Sequence, residues 1–154
     1  MTPAINLVKK NKVTHTVHQY QHQQGDLAYG EEAANKLGLQ PEQVFKTLVV
    51  DTGTELVVGI IPVLEKLSMK LIAKALGAKK AVMASPADVE RSTGYVLGGV
   101  SPLGQKKRLK TVIDASANEF NTIYVSAGRR GLEIELTGAD LAKLLNAKFG
   151  LICQ

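Results

Sequence analysis

The chain has no tryptophan, one cysteine and only 5% aromatic residues. Each shortage removes a class of function. A lone thiol, Cys153, cannot close a disulfide within the chain or anchor a cysteine metal cluster. Its place in Leu151-Ile152-Cys153, beside the last residue, reads as a core or edge position rather than a nucleophile. So few aromatics exclude an extended platform for stacking bases. No apolar run approaches the roughly 20 residues of a membrane span. The opening Met1-Thr2-Pro3-Ala4-Ile5-Asn6 lacks the basic-then-apolar pattern of a signal peptide. A soluble, cytoplasmic protein without a membrane partner is expected. The three histidines, His15, His18 and His22, have no cysteine nearby and only Asp26 as a close carboxylate. They are expected to be solvated or hydrogen-bonded, with no metal and no cofactor.

What is present fits one domain over residues 1–154, with 45% hydrophobic residues to build a core. A net charge of +5 and a pI near 9.3 favour an anionic partner, of which nucleic acid is the commonest.

Capping residues and periodicity divide the chain. Thr2-Pro3 opens a short helix whose C-terminal turn holds Lys9, Lys10 and Lys12. Residues 14–20 read as a strand with His18 and Tyr20 on one face. Residues 30–37 read as a helix with Glu31 and Glu32 in its first turn and Gly38 as its stop. Residues 45–51 and 55–62 form a hairpin around Thr52-Gly53. Residues 68–76 are helical, 81–84 a short strand, and Ser85-Pro86 caps a helix to about residue 92. Strands follow at 111–114, 122–126 and 132–136, with a helical turn at 115–120. Thr137 caps the last helix, and residues 149–152 end the chain as a candidate strand. Adjacent hairpins predict an α+β fold: a twisted, barrel-like mixed β-sheet of six or more strands surrounded by helices.

The densest signal is Gly94-Tyr95-Val96-Leu97-Gly98-Gly99-Val100-Ser101-Pro102-Leu103-Gly104, followed by Gln105-Lys106-Lys107-Arg108. Four glycines in eleven residues suit close approach of backbone to a ligand, with N–H groups aimed at an oxygen. They also suit a plain surface loop. A phosphate loop is excluded because Gln105 stands where its lysine is required. A nucleophile elbow is excluded because Gly99 to Gly104 is one residue too long and Pro102 lacks the N–H that the elbow uses. Ser101 is thus a poor acyl nucleophile, although its hydroxyl can bind. Lys46, at the start of an apolar strand, is either a snorkelling edge residue or a charge held near a site.

Four separated motifs carry a family resemblance: Phe45-Lys46-Thr47-Leu48, Arg91-Ser92-Thr93-Gly94-Tyr95, Gly98-Gly99-Val100-Ser101-Pro102-Leu103-Gly104, and Tyr124-Val125-Ser126-Ala127-Gly128 with Arg130-Gly131-Leu132-Glu133-Ile134-Glu135-Leu136. Over essentially its whole length the chain resembles the YbaK/EbsC-type trans-editing deacylases, related to the editing domain of bacterial prolyl-tRNA synthetase. It looks most like the branch that removes cysteine mischarged on proline tRNA. The resemblance implies Lys46 as the essential lysine, with Gly98 and Gly99 as catalytic backbone donors. It places Tyr20, Tyr29, Thr47, Val100, Ser101, Ser126, Gly128 and Glu133 around the substrate; Glu133 stands where relatives often carry Asp. It implies that no enzyme nucleophile is used: the thiol of the misattached cysteine attacks its own ester. Lys106, Lys107, Arg108, Lys110, Arg129 and Arg130 suit the tRNA backbone. The implied partners are mischarged tRNA(Pro) and, in a ternary complex, prolyl-tRNA synthetase. Two alternatives stay open: an alanyl-ester deacylase using an activated water, and a non-catalytic module that binds tRNA or a synthetase.

Overall fold

The computed structural model describes residues 1–25 and 27–154; Asp26 and the side chain of Tyr29 lie outside the described residues. The chain runs α1 (Pro3–Lys10), β1 (Thr16–Gln19), α2 (Tyr29–Leu37), a 3-10 turn (Pro41–Gln43), β2 (Phe45–Asp51), β3 (Leu56–Pro62), α3 (Met69–Ala75), β4 (Val82–Met83) and α4 (Pro86–Thr93). It continues through β5 (Lys110–Asp114), a 3-10 turn (Ala115–Glu119), β6 (Ile123–Ser126), β7 (Leu132–Leu136), α5 (Gly138–Leu145) and β8 (Lys148–Gly150). The helix starts follow from their caps. Thr2, Ser85 and Thr137 each accept a hydrogen bond from the amide three residues on, at 3.2, 3.2 and 3.0 Å.

The strands form two sheets. One has the order β1-β7-β6 and the other β4-β2-β3-β5-β8. The second is mixed: the β2–β3 hairpin is antiparallel, while β3–β5 and β5–β8 are parallel. The expected barrel-like closure is not what the chain forms. The sheets touch through one isolated parallel bridge, Val44↔Tyr124, and no ladder continues past it among the described residues. The reason lies in β2. Its residues 45–48 pair with β3 on one side, whereas β4 covers the other edge only at Val50 and Asp51. A seam is left open between the start of β2 and the end of β6.

The main core fills the space between the sheets. Phe45, Val49, Ile60 and Ile113 from one meet Ile123, Val125, Ile134 and Leu136 from the other, with Ile5 and Val8 of α1 and Leu141 of α5. Alternation along β2 puts Leu48 and Val50 on the opposite face, in a second core with Ile61, Ile72 of α3 and Ile152. A smaller core lies under α2, where Ala33 and Ala34 cover Val44, Val63 and Tyr124. Gly30 makes that contact possible, since a Cβ there would lie 2.1 Å from Val63 Cγ1.

Candidate active site

A pocket of about 230 Å³ lies at the seam. Its walls are Phe45, Lys46, Thr47 and Leu48 from the exposed edge of β2, Ser126 from the end of β6, and Val63 after β3. The first turn of α2 adds Ala28, Gly30 and Glu31, and the glycine loop adds Leu97, Gly98 and Val100. The volume is below that of pockets for drug-sized ligands, so it suits a small group such as an aminoacyl moiety. Among the described residues no histidine and no cysteine lines it.

Lys46 is half-buried, and burial holds its ammonium below the ordinary lysine range; the Glu31 carboxylate pulls it partly back. The Thr47 hydroxyl is buried with no hydrogen-bond partner among the described residues. Such a group costs about 1–3 kcal/mol where nothing answers it, so at a pocket wall it points to a polar atom of a ligand. Ser126 is buried and its Oγ accepts from the Gly128 amide at 3.1 Å.

The glycine loop divides its work. Gly98 has φ +91°, in the left-handed region, and a Cβ there would meet nothing within 4 Å, so the backbone stands open at the pocket. The Gly99 amide donates to the Val96 carbonyl at 3.0 Å and is used inside the loop's own turn. Of the two glycines, only Gly98 lines the pocket. Gly99 instead lets the loop approach the Arg129 backbone, 2.9 Å from where a Cβ would stand. Ser101 is fully buried, and its Oγ accepts from the Leu103 amide at 3.2 Å. That bond shapes a tight turn in the loop, and Ser101 is not among the residues that line the pocket. Gly128 also lies outside the lining, packed against the Tyr95 ring.

Tyr20 and Glu133 are not among the residues that line the pocket. Glu133 is fully buried on β7, opposite His18 and Ser126. Burial pushes the Tyr20 hydroxyl up to about 12, so it stays protonated at neutral pH. The backbone of Gly131 partly offsets that rise. The place of the Tyr29 side chain lies outside the described residues.

The histidines are hydrogen-bonded, as expected. His18 Nε2 pairs with Glu135 at 2.8 Å, His22 Nδ1 with Glu32 at 2.7 Å, and His15 Nδ1 with the Val13 carbonyl at 2.7 Å. Glu32 is 3% exposed. It accepts from the Gln23 amide at 3.0 Å and from Arg130 Nε at 3.0 Å as well. Burial raises its carboxyl, but these three partners outweigh that and hold it below the usual carboxylate range. Arg130 Nη2 also donates to the Leu27 carbonyl at 3.0 Å. Arg130 thus ties the turn before β7 to the segment leading into α2. Lys110 is likewise taken up, by Glu55 at 3.1 Å. Lys106, Lys107, Arg108 and Arg129 are exposed. Lys107 and Arg108 line a groove between α1 and α5.

Sequence reasoning missed Glu31, Gly30, Val63 and Leu97 as pocket walls. Glu31 reads as an ordinary first-turn partner of the helix dipole, and no local pattern marks it otherwise.

The geometry has close counterparts. Residues 25–144 match the aminoacyl-tRNA editing domain family. The chain belongs to that family. It is 38% identical over 152 residues, 98% of this chain and 92% of the other, to a protein of Enterococcus faecalis named as a candidate Cys-tRNA(Pro)/Cys-tRNA(Cys) deacylase, EbsC. It is 30% identical over 89 residues, 57% of this chain and 53% of the other, to the multifunctional Ser/Thr-tRNA deacylase ProXp-y of Escherichia coli. Its fold matches the crystal structure of a candidate trans-editing enzyme for prolyl-tRNA synthetase. That match has TM-score 0.85 and 19% identity, and covers 100% of this chain and 99% of the other. Among the described residues no helix is long and apolar enough to cross a membrane.

Proposed function

We propose that this protein clears cysteine from mischarged proline tRNA in trans, with the substrate thiol as the attacking group. The observation that carries the reading is the lining of the seam pocket. It offers a cation at Lys46, an unanswered hydroxyl at Thr47 and an open backbone at Gly98, but no histidine or cysteine to make an enzyme nucleophile. Burial and the Asp114 carboxylate push the Cys153 thiol up to about 12, which removes it as a thiolate near neutral pH.

In this reading the cysteinyl group enters the pocket against Phe45, Leu48, Val63 and Val100. Its thiol loses a proton, and the sulfur attacks the ester carbonyl on the same residue. The C–S bond forms as the bond between carbonyl carbon and the ribose oxygen breaks. The product is a thiolactone, and the proton ends on the departing ribose hydroxyl. The tether gives the thiol a high effective molarity. What the protein adds is placement, a donor from Gly98 for the carbonyl oxygen, and the Lys46 charge near the developing anion. Proline identity is supplied by prolyl-tRNA synthetase in a ternary complex, since this small chain presents few groups for reading a tRNA.

The test is deacylation of proline tRNA charged with cysteine, alanine or serine by pure protein, with the released product identified. The cysteinyl ester is expected to be cleaved much faster than the others and to leave as a thiolactone. Equal rates for cysteine and alanine, or an acyl group trapped on Ser101, Ser126 or Cys153, overturn the mechanism. The seryl arm tests a second reading, favoured by the name of the ProXp-y relative: fast release of serine would assign this pocket to hydroxyl side chains.

A further inference from the structure

Lys46 is the only cation on the wall of the seam pocket among the described residues. It is half-buried, and no carboxylate forms an ion pair with it among the described residues. Three titratable groups act on it from different elements: Glu31 in α2, Cys153 in the C-terminal segment and Glu65 after β3. Each favours the ammonium, but burial outweighs them and holds it below the ordinary lysine range. More of the neutral amine is therefore present than on an exposed lysine, and the neutral amine is the nucleophile. The same walls suit an acyl group. Phe45, Val63 and Val100 are apolar, the backbone at Gly98 is open, and the Thr47 hydroxyl is unanswered. Backbone and hydroxyl donors of this kind stabilise the oxyanion formed when an amine adds to a carbonyl. A space of about 230 Å³ admits only small acyl groups.

We propose that Lys46 is a self-acylation site, whose amine takes up the acyl group of small thioesters and thiolactones that enter the seam pocket. The amine nitrogen attacks the carbonyl carbon. The C–N bond forms as the C–S bond breaks, and the proton of the nitrogen passes to the departing sulfur. A thiolactone so opened leaves an amide on Lys46 that carries a free thiol, and no further reactant is needed. The source of the electrophile during turnover rests on the reading above, in which a cysteine thiolactone is released beside this amine. A strained thiolactone is an acyl donor, and its aminolysis by Lys46 competes with its escape. The amide carries no charge, so an acylated molecule has lost the cation of its pocket, and the acyl chain occupies the space that substrate needs. The protein is thus slowly inactivated by its own product.

Two measurements test this, and the first is independent of ester cleavage. Pure protein is incubated with homocysteine thiolactone, a stable ring-expanded analogue, and the acylated lysines are ranked by peptide mass spectrometry. Lys46 is expected to be labelled ahead of every other lysine, the exposed Lys106 and Lys107 included. Glu31→Gln removes a charge that favours the ammonium, and is expected to speed labelling at Lys46 alone. Labelling of Lys46 no faster than of Lys106 and Lys107 overturns the site, and so does a rate at Lys46 that Glu31→Gln leaves unchanged. In the second, the protein turns over cysteinyl proline tRNA while its own mass is followed. A cysteinyl group is expected to accumulate on Lys46, with deacylation lost in proportion to its occupancy. Sustained turnover with Lys46 unmodified overturns the self-inactivation. Absence of any turnover would strike the ester chemistry proposed above, with the thiolactone probe still deciding the acylation site.

Discussion

Lys46 and Glu32 are both ionised groups taken out of water, but they are held in opposite ways. Lys46 is shifted down by burial, with Glu31 the largest compensation. A charged Lys46 is therefore present at low pH and lost as pH rises through a value below that of an ordinary lysine. If the ammonium serves the reaction, kcat falls on the alkaline side, and Lys46→Arg moves that fall upward because guanidinium does not titrate there. Lys46→Ala is expected to lose at least about 100-fold in deacylation, the scale of removing one electrostatic donor. Its unfolding free energy should change by less than about 1 kcal/mol, since the side chain is only half-buried. Denaturant melts and single-turnover rates check both halves. Glu32 is the reverse case: its folded carboxyl is depressed by Gln23, His22 and Arg130. Its stabilisation is full above the ordinary carboxylate range and is lost as pH falls through the depressed value. Glu32→Gln should cost about 2 kcal/mol at neutral pH and flatten the acid limb of a stability–pH curve. An unchanged acid limb would show that the buried carboxylate is not what the segment after β1 depends on.

The loop between α4 and β5 shows how one residue type serves different ends within one element. Gly98 and Gly104 both have positive φ, +91° and +71°. A Cβ at Gly98 meets open space, whereas one at Gly104 would stand 2.6 Å from the Pro3 backbone carbon. Gly98→Ala should thus cost only left-handed strain, about 1–2 kcal/mol, yet crowd the pocket and depress turnover. Gly104→Ala should cost clearly more and loosen α1 from the loop, read as a larger drop in melting temperature. Equal melting temperatures would show that Pro3 yields. The elements themselves were legible in the sequence, because caps at Thr2, Ser85 and Thr137 and the alternation of residues 132–136 are local signals. The glycine loop and Lys46 stand out locally because the residue types are out of place in a packed element, but that pattern fits a surface loop and an edge lysine as well, and the site reading came from the family resemblance. What local pattern could not show was the seam. It depends on β2 and β6 meeting at a single bridge and then parting, a choice made by residues far apart in the chain. Arg130 escaped for a related reason, since its partner Glu32 lies 98 positions away and looks like any first-turn acid.

At the scale of the whole molecule, the net charge of +5 has to be located before it can explain binding. Two of the cations are engaged internally: Arg130 by Glu32 and the Leu27 carbonyl, and Lys110 by Glu55. One exposed run, Lys106-Lys107-Arg108, follows the glycine loop. The backbone amides of Lys106 and Lys107 are pinned to the carbonyls of Thr93 and Ser92 at the end of α4, at 3.1 and 3.0 Å. Lys107 and Arg108 then line one groove, and Lys12, Arg108 and Lys143 line the space continuous with it, against the single acid Asp140. A groove with that balance attracts a phosphate backbone without reading bases. If tRNA crosses it, the logarithm of affinity falls linearly with the logarithm of salt. Each cation removed should lower the slope by about one. The double variant Lys107→Glu, Lys143→Glu is expected to weaken tRNA binding strongly at low salt, to weaken it little at high salt, and to leave hydrolysis of a small cysteinyl ester unchanged. Arg130→Glu, by contrast, should disturb α2 and lower turnover of the small ester as well, because its guanidinium holds the segment that enters the pocket wall. A salt slope untouched by Lys107 and Lys143 would move the tRNA path elsewhere on the surface. A small-ester rate untouched by Arg130 would free that residue for the phosphate contact first expected of it.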